Sequence, residues 1–210
     1  MIITTSKEDL ANVAFVHINA FPNSLSSKLG QKYCIKMLEW YLISSNAFLF
    51  HLEIDSKIVG YCGGKVAGSH GSGSTTAMLQ YTFFQSIKSM FLRPYLFFNQ
   101  AMISNYAVII NNILIKFKIK NKRSQYLDKK KMNNSKEIGL VVIGVENSKQ
   151  GLGYGSKILI EFEKRCKSLG ATKIHLSVKS SNTTAIKSYS RNGWELEKSD
   201  THVATMYKLI

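Results

Sequence analysis

Acidic residues are scarce in this chain. Asp and Glu number 13 against 28 Lys and Arg, leaving a formal net charge of +15 over 210 residues, and so one-sided a balance calls for an anionic partner. Cysteine is also scarce. Cys34, Cys62 and Cys166 show neither metal-ligand spacing nor an even-numbered framework, which argues against a metal module and a disulfide scaffold; they read as buried thiols in a reducing compartment, and no metal is expected. The opening MIITTSKEDL reaches acids at once and has no apolar core, so no secretory or transit signal is visible and the cytosol is the expected location. A long apolar run is missing too. Pro94 to Ile115 carries no charge, but Asn99, Gln100, Ser104, Asn105, Asn111 and Asn112 make it too polar for a transmembrane helix.

What is present is organised around the stretch Glu146 to Leu169. Gln150-Gly151-Leu152-Gly153-Tyr154-Gly155 follows the apolar, β-like run Ile138 to Val145, so three glycines fall where a strand gives way to a helix. The first N–H groups of a helix have no intrahelical partner and lie at the positive end of its dipole, and glycine lets a phosphate approach them closely. A plain tight turn is the bland reading of such a string. A dinucleotide fingerprint fails at Ser156 and lacks an acid at the end of the next strand, while a Walker loop is absent. The remaining reading is a coenzyme A loop, Q/R-x-x-G-x-G/A, which Gln150-x-x-Gly153-x-Gly155 satisfies.

A second motif follows. After another β-like run, Lys173 to Val178, comes Asn182-x-x-Ala185-x-x-x-Tyr189-x-x-x-Gly193-Trp194. Together the two motifs resemble the GNAT superfamily of N-acetyltransferases, closely from Glu137 to Ile210 and in outline from Met1 to Ala67. The resemblance implies a mixed α/β fold with a central sheet of about seven strands flanked by helices, and an enzyme that moves an acetyl group from acetyl-CoA to a primary amine. It further implies that acetyl-CoA meets Ile143 and Val145 at the strand end, the loop residues Gln150, Gly151, Leu152, Gly153, Tyr154, Gly155 and Ser156, and then Asn182 and Tyr189. Tyr189 aligns with the tyrosine that protonates the departing thiolate; its bland reading is a core aromatic, as that of Asn182 is a helix cap.

The base is less legible. Family members that acetylate protein N-termini often carry a glutamate five residues before the motif asparagine, where this chain has Ser177. Glu137, at the opening of the strand before the loop, is the catalytic candidate, with His175, Glu146 and a water chain as alternatives. Amide formation requires one of them to accept the amine's proton.

The rest of the chain reads as follows. A short strand, Ile2 to Thr4, precedes a helix with Ser6 as N-cap and Asp9 at N3; Leu10, Val13, Ala14, His17, Ile18 and Phe21 recur at helical spacing, and Pro22 stops it. A second helix is predicted from about Ser26 to Leu42. Ala47 to Ile54 and Lys57 to Val66 form a hairpin in which His51 and Glu53 alternate onto a solvated polar face. Downstream of the loop, Ile158, Leu159, Phe162, Cys166 and Leu169 make an apolar stripe, Glu161/Arg165 and Glu163/Lys167 pair at i,i+4, and Gly170 ends the helix.

Between the third and fourth strands lies an insertion, residues 68–136, within one domain spanning 1–210. Gly68 to Thr76 reads by composition as a flexible linker and Asn133-Asn134-Ser135 as the opposite boundary. From Gly68 to Glu137 there are nine Lys and two Arg against Asp128 and Glu137, so nine of the fifteen net charges sit in one third of the chain. Phe83 to Phe98 forms an aromatic, helical stretch, followed by Lys116 to Arg123 and Lys129 to Lys131. The insertion is expected to be a helical lid, a clamp on a phosphorylated acceptor, or an element for an anionic membrane surface that holds the protein peripherally at the inner face; nucleic acid is disfavoured because no recognised module is present. The acceptor inferred from charge is an anionic small molecule such as a nucleotide-linked amino sugar. The alternatives are a protein N-terminal amine, and a non-catalytic acyl-CoA-binding module that docks through the insertion.

Overall fold

The computed structural model describes residues 1–66, 74–94 and 136–210. Seven strands form one sheet in the order β1-β2-β3-β4-β5-β7-β6. They are β1 (Ile2–Thr4), β2 (Ala47–Ile54), β3 (Lys57–Val66), β4 (Glu137–Val145), β5 (Lys173–Lys179), β6 (Glu195–Ser199) and β7 (Val203–Leu209). Every neighbouring pair is antiparallel except β4 and β5. The β2–β3 turn is two residues, Asp55 and Ser56, with φ of 49° and 58°. That left-handed pair matches the twist of the flanking strands.

Helices cover both faces. On one side α1 (Leu10–Ala20) and α3 (Gln31–Ile43) bury Leu10, Val13, Ala14, Cys34 and Leu38 against Leu49 and Tyr61. On the other, α5 (Tyr154–Ser168) buries Ile158, Leu159, Phe162 and Cys166 against Phe50, Cys62 and Ile138. Between α1 and α3 lies the short α2 (Leu25–Leu29); α4 (Ser74–Leu92) packs beside α3, and α6 (Thr183–Arg191) precedes β6.

Several local expectations are corrected. The Ser6–Asp9 pair exists, but Asp9 Oδ2 accepts from both the N–H and the hydroxyl of Ser6 at 2.8 Å, and the helix begins only at Leu10. The Ser6 hydroxyl donates to that carboxylate, and the N-cap position falls on Asp9, which makes no side-chain cap hydrogen bond. The helix expected from Ser26 to Leu42 is two helices, broken at Gly30, whose φ is +94° and whose missing Cβ leaves room for the Arg93 guanidinium. Arg93 donates to the Lys28 carbonyl at 3.0 Å there. His51 is not solvated: it is 1% exposed, its Nδ1 lies 3.0 Å from Thr5 Oγ1, and its strand face is the one under α1 and α3.

On α5 the Glu161–Arg165 pair forms at 2.8 Å. Glu163 instead accepts from Trp194 Nε1 at 3.2 Å and Lys208 Nζ at 2.8 Å, partners from β7 and the turn before β6 that outbid Lys167 because they hold the carboxylate in a half-buried site. Leu169 is left largely exposed, past the last turn of the stripe. Gly170, at φ +78°, does end that helix. Within the insertion, α4 already includes Ser74 to Thr76, which composition had placed in a linker. The remaining linker residues, the aromatic run beyond Pro94, the charge-free stretch, both basic runs and Asn133-Asn134-Ser135 lie outside the described residues.

Candidate active site

Strands β4 and β5 pair in parallel register only from Glu137↔Lys173 to Leu140↔Leu176. Beyond Leu140 they separate, helped by a register shift where Gly63 faces Val142 but Gly64 faces Leu140, leaving Val141 as the extra residue of a bulge. A bulge bends its strand and increases its twist. The split so produced opens toward the N-terminus of α5.

A cavity of about 620 Å³ occupies that split. Ile143, Gly144 and Val145 of β4 form one wall, Gln150, Gly151, Gly153, Gly155 and Ser156 the loop and helix start, and Asn182, Ala185, Ser188 and Tyr189 the face of α6. The loop is suited to an anion. Gly151 and Gly153 both have φ +78°, and a Cβ built on Gly151, Gly153 or Gly155 meets nothing within 4 Å. The N–H groups of the first turn of α5 therefore face open space at the positive end of a 15-residue helix. Gln150 has a second role: its Nε2 donates to the Val145 carbonyl at 3.0 Å and to Asn147 Oδ1 at 2.9 Å, tying the loop back to the strand end.

Tyr189 is 9% exposed. Its ring lies 6.0 Å from that of Trp194, which stacks 6.4 Å from Phe162, so the phenol is held from behind by the core. Burial pushes its hydroxyl up to about 12, and it stays protonated throughout the neutral range. Asn182 caps α6, accepting from the Ala185 N–H at 3.2 Å, and lines the cavity as well. The three thiols are buried, and burial raises each of them, so none is a thiolate nucleophile.

The structure gathers Ile143, Val145, Gln150, Gly151, Gly153, Gly155, Ser156, Asn182 and Tyr189 around one cavity. Leu152 points outward, 60% exposed, and Tyr154 packs toward the core with Lys157 Nζ 5.5 Å from its ring centroid. Glu137 is not at the site. It lies at the opposite end of β4, opposite Lys173, where the two strands are still paired; at about 3.3 Å per residue it stands roughly 26 Å from Val145. Glu146 accepts from Ser148 Oγ at 3.0 Å in the turn after β4, and His175 faces Gly139 below the split. Neither lines the cavity.

Sequence reasoning missed several lining residues. Ser188 and Asn192 continue the Asn182–Ala185–Tyr189 face at helical spacing, and Asn192 Nδ2 donates to Ser156 Oγ at 3.1 Å, joining α6 to the start of α5. Arg191 adds a cation, while Ala20 and Phe21, at the end of α1, carried no sequence signal for a wall. Gly144 lets them close in, since a Cβ there would meet Phe21 and Tyr61 at 3.0 and 2.8 Å.

Behind Phe21 sits a buried polar chain. Tyr61 Oη contacts His17 Nδ1, and His17 Nε2 lies 2.8 Å from Ser26 Oγ, itself 2.9 Å from Ser24 Oγ. Tyr61 has no exposure and its hydroxyl needs an acceptor, which places the proton of His17 on Nε2. Burial lowers the imidazole from 6.5 to about 4. The unfolded chain thus accepts a proton that the folded one refuses, so this stability is complete above pH 6.5 and is lost as pH falls toward 4. The loss amounts to about 3 kcal/mol. His17→Gln is expected to show a shallower fall of Tm than wild type between about pH 7 and pH 4.5; an equally steep fall would place the proton uptake elsewhere.

The model of the acetyltransferase (GNAT) family matches residues 122–194, which hold the split strand, the glycine loop, α5 and α6. The chain is similar to that family over this stretch. Solved structures agree over its whole length. The PaiA N-acetyltransferase of Thermoplasma acidophilum in complex with coenzyme A is 13% identical, with a TM-score of 0.59 and coverage of 100% of this chain and 98% of that one. A GNAT-family acetyltransferase from Streptococcus pneumoniae is 16% identical at TM-score 0.55, covering 100% and 98%, and the ribosomal-protein-S18-alanine N-acetyltransferase of Escherichia coli is 14% identical at 0.54, covering 100% and 93%. No curated protein matches the sequence. The family match and the shared fold point to acetyl-CoA as the cosubstrate class and acetyl transfer as the reaction class.

Proposed function

We propose that this protein is an acetyl-CoA-dependent N-acetyltransferase of the GNAT type and that it acetylates the primary amine of a small anionic acceptor, of which a nucleotide-linked amino sugar is an example. The observation that carries the transferase reading is the cavity itself: an anion-ready helix N-terminus and a buried, protonated phenol open onto the same split between two parallel strands. Transfer requires a cradle for the cosubstrate's phosphates, a donor for the thioester oxygen and an acid for the departing thiolate. The glycine loop fits the first, the β4 backbone at Ile143 to Val145 the second, and Tyr189 the third. The amine forms its bond to the acetyl carbon as the carbon–sulfur bond breaks, and the proton it gives up balances the one delivered to sulfur.

The net charge of +15 supports an anionic acceptor. Released thiol, measured with acetyl-CoA against nucleotide-linked amino sugars, neutral amines and peptides with free N-termini, tests the reading. Turnover is expected to be highest with the anionic amino sugars, with kcat/KM falling as salt screens exposed charges beyond about 8 Å. Preference for the peptides overturns the acceptor assignment. Coenzyme A binding without turnover on any amine overturns the enzyme and leaves a binding module.

A further inference from the structure

Helix α4 is apolar on two sides, only one of which the described residues cover. On the inward side Phe83 is buried, Met78, Tyr81 and Met90 pack toward α2 and α3, and between them Thr82 and Ser89 are buried, with Thr82 Oγ1 and Ser86 Oγ donating to the Met78 and Thr82 carbonyls at 3.0 Å. The opposite stripe is aromatic. Phe84 and Phe91, at i and i+7, are 69% and 79% exposed, and Leu92 is 73% exposed beside them. Lys88, at i+4, stands exposed between the two rings. A helix that is apolar on its inner side and still presents two rings and a leucine on its outer side is matched to an apolar medium there.

The charges around that stripe select the medium. Across α2, α3 and α4 with Arg93, the cations are Lys28, Lys32, Lys36, Lys88 and Arg93, and the only acid is Glu39. Glu39 is already engaged by Lys36 and by Tyr81 Oη at 2.7 Å. Arg93 binds the α2 carbonyl at Lys28, so the end of α4 that carries Phe91 and Leu92 meets the basic start of α3. No helix among the described residues is long and apolar enough to cross a membrane.

We propose that the outer face of α4, Phe84, Lys88, Phe91 and Leu92, docks on an anionic lipid surface and holds the protein there without spanning it. The rings enter the headgroup boundary, and Lys88, Lys32 and Arg93 stay at the level of the phosphates. An interfacial helix binds by this combination of buried apolar area and attraction to anionic lipid, and each cation near the surface adds to it.

Flotation of the full chain with phosphatidylcholine vesicles, with and without phosphatidylserine, tests this. Binding is expected only when phosphatidylserine is present. The double variant Phe84→Ser/Phe91→Ser should bind at least about tenfold more weakly, and Lys88→Glu should bind more weakly as well. Because the stripe is exposed, the double variant should keep the wild-type Tm and coenzyme A affinity. Undiminished binding by the double variant overturns the proposal, since the excess charge elsewhere is then sufficient. A lowered Tm overturns it in favour of packing against the chain's own residues. Loss of a dimer or of single-stranded RNA binding in the double variant, without vesicle binding by wild type, overturns it in favour of that partner.

Discussion

Gly155→Ala is expected to raise the stability of the protein while weakening its hold on coenzyme A. Gly155 is the second residue of α5, has ordinary helical φ, and its absent Cβ would meet nothing within 4 Å. Nothing in the fold requires glycine there. Alanine in a helix is favoured over glycine by up to about 1 kcal/mol, equivalent to roughly 2–4 °C in Tm for a chain of this size. A phosphate that must close on the first-turn N–H groups meets that Cβ directly. Loss of one or two charge-assisted hydrogen bonds, each about 1.5–3 kcal/mol, lowers affinity on the order of 10²-fold, and valine should abolish binding.

Calorimetry with coenzyme A alongside thermal melting measures both effects. Gly153 is the poorer position, because its φ of +78° makes any side chain strained whatever the ligand does. Unchanged affinity in Gly155→Val would reduce the loop to a tight turn.

Tyr189→Phe should lower kcat on the order of 10²-fold and leave coenzyme A affinity unchanged. The ring is the part of Tyr189 that packs against Trp194 and lies beside Ala185, and phenylalanine retains it. Only the hydroxyl is lost. Since burial places that hydroxyl at about 12, the wild-type pH–rate profile should show no limb from this group near neutrality. Single-turnover measurement isolates the chemical step from product release. A wild-type single-turnover rate in the variant would remove Tyr189 from the mechanism.

The parts of the site that were legible in the sequence are the ones encoded over short spans. Gln150 to Gly155 describes a strand-to-helix turn by itself, and Asn182, Ala185 and Tyr189 share a helix face by spacing alone. Ser188 and Asn192 were recoverable from the same spacing. Glu137 was misplaced for a reason open to arithmetic: eight residues of strand separate it from Val145, and an extended chain travels its full length.

Other errors came from partners remote in sequence. Gly30 breaks a helix to admit Arg93, Glu163 leaves a neighbour one helical turn away for Lys208, and His51 is covered by helices that its own alternation does not reveal. The Phe21 wall was illegible for the same reason, since it depends on Gly144 passing close beneath it in another strand. Local pattern reports what a segment is; it does not report which distant side chain competes for its groups.

The short β4–β5 seam has a mechanical consequence. Among the described residues, four register pairs, Glu137 to Leu140 against Lys173 to Leu176, are the whole β-ladder between β1–β4 and β5–β7–β6, while α5 ties the halves from one face through Glu163 to Lys208 and Trp194. The two halves therefore meet like boards joined at one end, with the cavity at the free end. A molecule seated there touches β4 on one board and α6 on the other, and it acts as the fastening that the backbone omits. A cosubstrate that binds only this folded arrangement stabilises it by mass action, so the resistance of the β5–β7–β6 half to local opening should rise with coenzyme A concentration.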